Sequence, residues 1–130
     1  AATGGLLAGL HHLRRLLTLG PHGFSVFYYV GSAPLDGTGP RVDILQAELE
    51  TGRSQWLFGQ QSGELVGFDF WIHDDFDPCE VRFTGSREVQ GRMLPAQWTV
   101  KHAGKVFATL NLETGELAAP GEEIPKEAGR

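Results

Sequence analysis

Between Leu6 and Leu17 the leucines fall at Leu6, Leu10, Leu13 and Leu17, and Gly9 and Leu16 widen the same stripe. Spacings of four, three and four residues are the period of a helix with one apolar side. His11, Arg14, Arg15 and Thr18 take the opposite side, and His12 sits on the border. Residues 3–19 are therefore predicted as the chain's only helix, with Thr3 as N-cap and Gly20-Pro21 as the stop. Gly4 and Gly5 weaken the first turn by about 1 kcal/mol each relative to alanine. Burial of the leucines is worth roughly 1.5–3 kcal/mol apiece. Such a helix is held by what it packs against, not by propensity.

After Gly23 the period changes to two. Phe24 to Val30 is aromatic and β-branched and reads as a first strand, followed by a Gly- and Pro-rich loop over residues 31–40. Arg41 to Leu49 and Arg53 to Phe58 flank Glu50-Thr51-Gly52, a three-residue hairpin. In the next strand, 64–72, Val66, Phe68, Phe70 and Ile72 share one side and Trp71 lies opposite, beside Leu65. Residues 73–78 form an acidic turn. Cys79, Val81 and Phe83 then alternate with Glu80, Arg82 and Thr84, and Trp98 and Val100 resume the alternation after Gly85-Ser86, Gly91 and Pro95. We read two strands joined by a polar connection there, and a last hairpin at 102–105 leading into 106–112. Leu-Glu-Thr-Gly occurs at 49–52 and 112–115, but the flanks differ, so it marks repeated turn chemistry and not an internal repeat.

The sum is an α+β chain: one N-terminal amphipathic helix and about seven antiparallel strands in meander order. One helix cannot cover a flat sheet of that width. The expected solution is a strongly curved sheet wrapped round the helix, a half-barrel. The domain is expected to span 1–114, with 115–130, rich in Gly, Pro, Ala and Glu, as a flexible tail or linker.

Composition narrows the function. The 130 residues suit one domain with its own core, and a net charge of -5 argues against nucleic acid. Arg82, Arg87, Arg92, Lys101 and Lys105 are interleaved with outward strand positions and read as a solvated face. Cys79 is alone and on the apolar side of its strand, so it reads as a buried structural thiol. No apolar run reaches the roughly 18–20 residues a membrane helix needs. No signal peptide is recognisable, and the Ala-Ala start suggests a processed protein or a domain cut from a longer one.

Chemistry-bearing groups are sparse. His73, Asp74, Asp75, Asp77 and Glu80 are the densest polar cluster, and Asp74, Asp75, Asp77 and Glu80 form a weak metal candidate without calcium-loop spacing. Adjacent His11 and His12 point about 100° apart and do not share a metal readily. There is no Gly-x-Ser-x-Gly, Walker loop or dinucleotide fingerprint. Asp69 could face outward with Glu64 or Glu80 on a neighbouring strand, as a carboxylate pair. Trp98 should point inward with Val100 and Trp56 with Phe58, whereas Trp71 is outer-face packing or a contact for a partner.

Two stretches resemble LolA-like lipoprotein-carrier domains. The first is Ala2-Thr-Gly-Gly-Leu through Leu17-Thr-Leu-Gly running into a strand. The second is Asp77-Pro78, Glu80-Val-Arg-Phe83, Arg87-Glu-Val89, Gly91-Arg-Met-Leu-Pro95 and Trp98 to Lys101. Similar modules also resemble C-terminal accessory domains of exported bacterial proteases. The resemblance implies a half-barrel whose inner face, here Val66, Phe68, Phe70, Val81, Phe83, Trp98 and Val100, holds acyl chains. It further implies a periplasmic or otherwise exported setting. The chain departs from the full carriers in having a single helix.

These readings converge on a non-catalytic binding or accessory domain of an exported bacterial protein, without a cofactor. It would hold a lipid or acyl chain against Leu10, Leu13, Leu17, Phe68, Phe70, Phe83 and Trp98, or dock a neighbouring domain of the same chain. The alternative is a small metal-dependent hydrolase using residues 73–80. Homo-oligomerisation through an edge strand is a third expectation.

Overall fold

A computed structural model of the protein describes residues 5–111, apart from the side chain of Arg92. Helix α1 runs Leu6–Leu19 and continues into a 3₁₀ turn at Gly20–Gly23, giving an 18-residue helical segment. The predicted cap at Thr3 lies outside the described residues. Gly5 occupies the cap position, with no side-chain bond to the helix end. The stop falls where Gly20-Pro21 predicts it, and the Gly20 N–H donates to Leu16 O.

Seven strands follow: β1 (Val26–Pro34), β2 (Arg41–Leu49), β3 (Gly52–Gly59), β4 (Leu65–Trp71), β5 (Cys79–Val89), β6 (Arg92–His102) and β7 (Lys105–Asn111). They form one antiparallel sheet in sequence order, so every connection is a hairpin. β1 runs four residues beyond its predicted end by absorbing a bulge between Tyr29 and Gly31. The β5–β6 turn is Gln90-Gly91, both at positive φ, and Gly85-Ser86 stays inside β5. Pro95 pairs with Ser86 at a point on β6 that the β7 register, which starts at Gln97, does not reach. The predicted domain end at 114 and tail 115–130 lie outside the described residues.

The expected half-barrel is corrected. The sheet is neither closed nor strongly curled, and β1 and β7 are separate edges. A helix is about 10 Å across, whereas seven strands span about 29 Å. Instead of bending round α1, the sheet lets α1 rest on its middle, against β3 and β4, and leaves the flanks uncovered. Val26, Tyr28, Tyr29 and Val30 of β1 and Val106 and Phe107 of β7 are exposed at the two edges.

The core lies between α1 and the inner face of the central strands. Trp56, Phe68, Phe70, Cys79, Val81 and Val100 are at most 1% exposed, and Leu13 and Phe83 complete the cluster. Trp56 stacks on Phe68 at 4.6 Å, its register partner across β3 and β4. Gly9 allows the closest approach: a Cβ there would lie 3.1 Å from Phe68 Cε2. The β3–β4 register shifts between Leu57 and Phe58, which pairs Phe58 with Leu65 and leaves Val66 as the extra residue. Leu65, not Val66, therefore packs against the core, and Ile72 falls beyond β4 with its side chain exposed.

Candidate functional site

β4 meets β5 only over Gly67 to Phe70, and among the described residues β7 meets β6 from Gln97 onward. Between those limits the stretch Thr84 to Pro95 is a two-stranded arm that extends past its neighbours. Beneath the base of this arm, the C-terminal half of α1 and the start of β4 leave a groove of about 450 Å³. Leu17 lines it from the helix, Leu65 and Val66 from β4, Phe83 from β5, and Met93, Leu94 and Pro95 from β6. Its polar lining comes from Glu64 and Ser86, beside Gly63 and Gly85. The volume falls within the roughly 300–1,000 Å³ of small-molecule sites. Trp98 braces the wall: its indole N–H donates to Pro95 O at 3.2 Å, and its ring meets Phe83 edge to face at 5.4 Å. Met93 is 64% exposed at the mouth, an unbranched side chain able to adapt to an occupant.

Of the residues expected to contact an apolar ligand, Leu17 and Phe83 line this groove. Leu13, Phe68 and Phe70 are buried in the core, and Leu10 and Trp98 are half-buried against it. Sequence reasoning missed Leu65, Met93 and Leu94 as lining residues. The available signal was the run Met93-Leu94-Pro95, three apolar residues that break the two-residue alternation of β6.

The acidic turn is dispersed. Asp74 accepts from Arg53 Nε at 2.8 Å, His73 Nδ1 faces Asp75 at 3.4 Å, and Asp77 is exposed. Among the described residues no group of three or more His, Cys, Asp or Glu side chains is placed to hold a metal ion. Trp71 lies on the outer face as its parity predicts, with the Arg53 guanidinium 4.0 Å from its ring centroid. Arg53 thus bridges a surface carboxylate and an indole face.

Arg82, expected on a solvated face, is instead largely covered, with 15% of its side chain exposed. Nε and Nη2 donate to the Asp36 carboxylate, Nη1 donates to Asp69 at 2.7 Å, and Glu80 lies 3.5 Å away. Asp69 and Glu80 are direct register partners, so the expected outward carboxylate pair exists and is bound to an arginine. Gly67 makes room for the stem, since a Cβ there would lie 3.1 Å from Arg82 Cδ. The two principal carboxylates respond oppositely. The hydrogen bond from Arg82 holds Asp36 below its ordinary value, whereas burial outweighs the guanidinium and pushes Asp69 up. The β1–β2 connection, residues 35–40, is thereby clipped across the outer face to β5.

His12, placed on the stripe border by its spacing, is fully buried. Nδ1 lies 3.1 Å from Ser54 Oγ and Nε2 2.9 Å from Thr51 Oγ1, and the ring stands edge to face on Phe70 at 4.7 Å. Burial, with the nearby charges of His11 and Arg15, lowers its pKa to about 4. A neutral imidazole donates from one nitrogen and accepts at the other, which matches two hydroxyl partners. Ser54 is inaccessible, so this set ties α1 to the β2–β3 hairpin and offers no exposed nucleophile beside it at that serine. Cys79 is buried, and burial followed by Asp69 and Glu80 pushes its thiol up to about 11, which keeps it protonated and unreactive.

No protein-family model matches the chain, and neither a curated protein nor a solved structure does.

Proposed function

We propose that the chain is a non-catalytic binding domain whose ligand is an apolar molecule seated in the groove beneath the β5–β6 arm. The observation that carries this reading is the groove itself. About 450 Å³ of space is bounded by seven apolar side chains from four elements. Burying an alkyl chain against such a wall gains about 0.8 kcal/mol per methylene. The resemblance to lipoprotein-carrier domains motivates the lipid class and an exported, periplasmic setting in a bacterium. It also motivates a role as accessory domain to a larger exported protein. The acyl-chain contacts are Leu17, Phe83 and the arm residues, in place of the whole inner face.

Trp98 is the built-in reporter, because its partners Phe83 and Pro95 line the groove. Titration with a nitroxide-labelled alkyl amphiphile should quench tryptophan emission saturably, and Trp98→Phe should remove most of that change. Ser86→Trp, which places an indole in the groove from an exposed position, should block it. Emission that stays constant across a panel of chain lengths would sink the reading.

A further inference from the structure

We propose that the groove discriminates by head-group charge, preferring an alkylammonium amphiphile to an alkyl carboxylate, with Glu64 as the selecting residue. This rests on the reading of the groove as an apolar-ligand site. Glu64 is the charged side chain among the described residues that line it, and none of those residues is basic. Its place at the rim is fixed by the backbone: the Glu64 N–H donates to Ser62 Oγ at 3.2 Å, its carbonyl accepts from Gly59 N–H at 2.8 Å, and Gly63 N–H donates to Gly59 O at 2.7 Å. None of the ion pairs between described residues uses its carboxylate. On the other side of the groove, the Ser86 hydroxyl can accept from an ammonium or donate to a carboxylate, which leaves the discrimination to Glu64. Gly63 and Gly85 put no side chain in the way of a head group at that rim.

An amphiphile with its chain against Leu17 and Phe83 brings its polar end to Glu64 and Ser86. An ammonium there meets an opposite charge. A carboxylate meets a like charge, in a chain whose net charge of -5 also repels it at longer range. The discrimination is modest because Glu64 is exposed and screened.

The test compares decylamine, decanol and decanoate below their micellar concentrations at low ionic strength, with binding followed by amide chemical shifts. Decylamine should bind most tightly and decanoate least, with steps of roughly two- to fivefold. The shifts should centre on residues 63–66 and 83–86. Glu64→Gln, a surface change checked by an unaltered melting temperature, should collapse the difference between decylamine and decanoate while decanol still binds. The inference is overturned if decanoate matches decylamine, if the spread survives Glu64→Gln, or if amine shifts centre on the acidic turn 73–78. Failure of all three to bind, decanol included, would instead overturn the apolar-ligand reading on which the inference rests.

Discussion

A histidine at a helix border carries the main titration predicted for this protein. An unfolded His12 takes its proton near pH 6.5, and the folded one only near 4. Between those values the unfolded chain binds more protons, so stability is complete above about pH 6.5 and falls as the pH drops toward 4. The span of the shift corresponds to about 3 kcal/mol. Urea unfolding at pH 7.5 and pH 4.5 should show this loss. His12→Gln should flatten the pH dependence while lowering stability at pH 7.5, because Ser54 and Phe70 lose a fitted partner. A mutant that kept the wild-type slope would assign the effect to other groups. Arg82 behaves differently, since its removal leaves Asp69 buried without a counter-charge. Arg82→Met, which keeps the stem over Gly67, should cost about 3 kcal/mol at pH 7. The deficit should shrink as the pH is lowered, because burial already raises the Asp69 pKa and the carboxyl then takes up a proton. Asp36→Ala removes a half-exposed partner of the same arginine and should cost about 1 kcal/mol or less.

At the scale of elements, α1 is placed by one glycine. Gly9→Ala would gain about 1 kcal/mol of helix propensity in isolation. Here the new methyl would sit 3.1 Å from Phe68 and 3.4 Å from Phe70, both buried and unable to yield, so α1 must lift from the sheet. We expect a net loss of roughly 1–2 kcal/mol in chemical unfolding, and the wrong sign would mean that the helix–sheet contact is looser than its geometry. The leucine stripe was legible from spacing alone. That His12 joins it was not, because a histidine is buried only when specific hydroxyls meet both its nitrogens, and Thr51 and Ser54 are about forty positions away. The strand boundaries followed alternation well until a bulge intervened. The Leu57/Phe58 shift exchanged the roles of Leu65 and Val66, and no local rule announced it.

For the molecule as a whole, β1 has no strand partner on its outer edge among the described residues, and it carries four exposed apolar or aromatic side chains, Val26, Tyr28, Tyr29 and Val30. No charge lies between Val26 and Pro34 to oppose pairing, although the bulge after Tyr29 weakens the template. The expected outcome is concentration-dependent self-association in light scattering, suppressed by Val30→Lys. A constant monomer mass at high concentration would assign the protection to the bulge. The β5–β6 arm is the other global feature. Its β5 strand runs past the end of the β4 pairing at Gly67–Arg82, and the groove lies where the arm, α1 and β4 converge.

Hydrophobic periodicity by itself determined one leucine-faced helix, antiparallel strands in meander order, and the inward set around Phe68, Phe70, Val81 and Val100. Those features depend on neighbours a few residues apart, which the chain order records. Tertiary structure alone decided that the sheet stays open, that Arg82 is enclosed by carboxylates from two distant elements, and that an apolar-lined groove opens beneath an arm. Each of these follows from strand lengths, bulges and contacts between positions far apart in sequence, where the energetic choice is between whole arrangements of elements and not between local conformations.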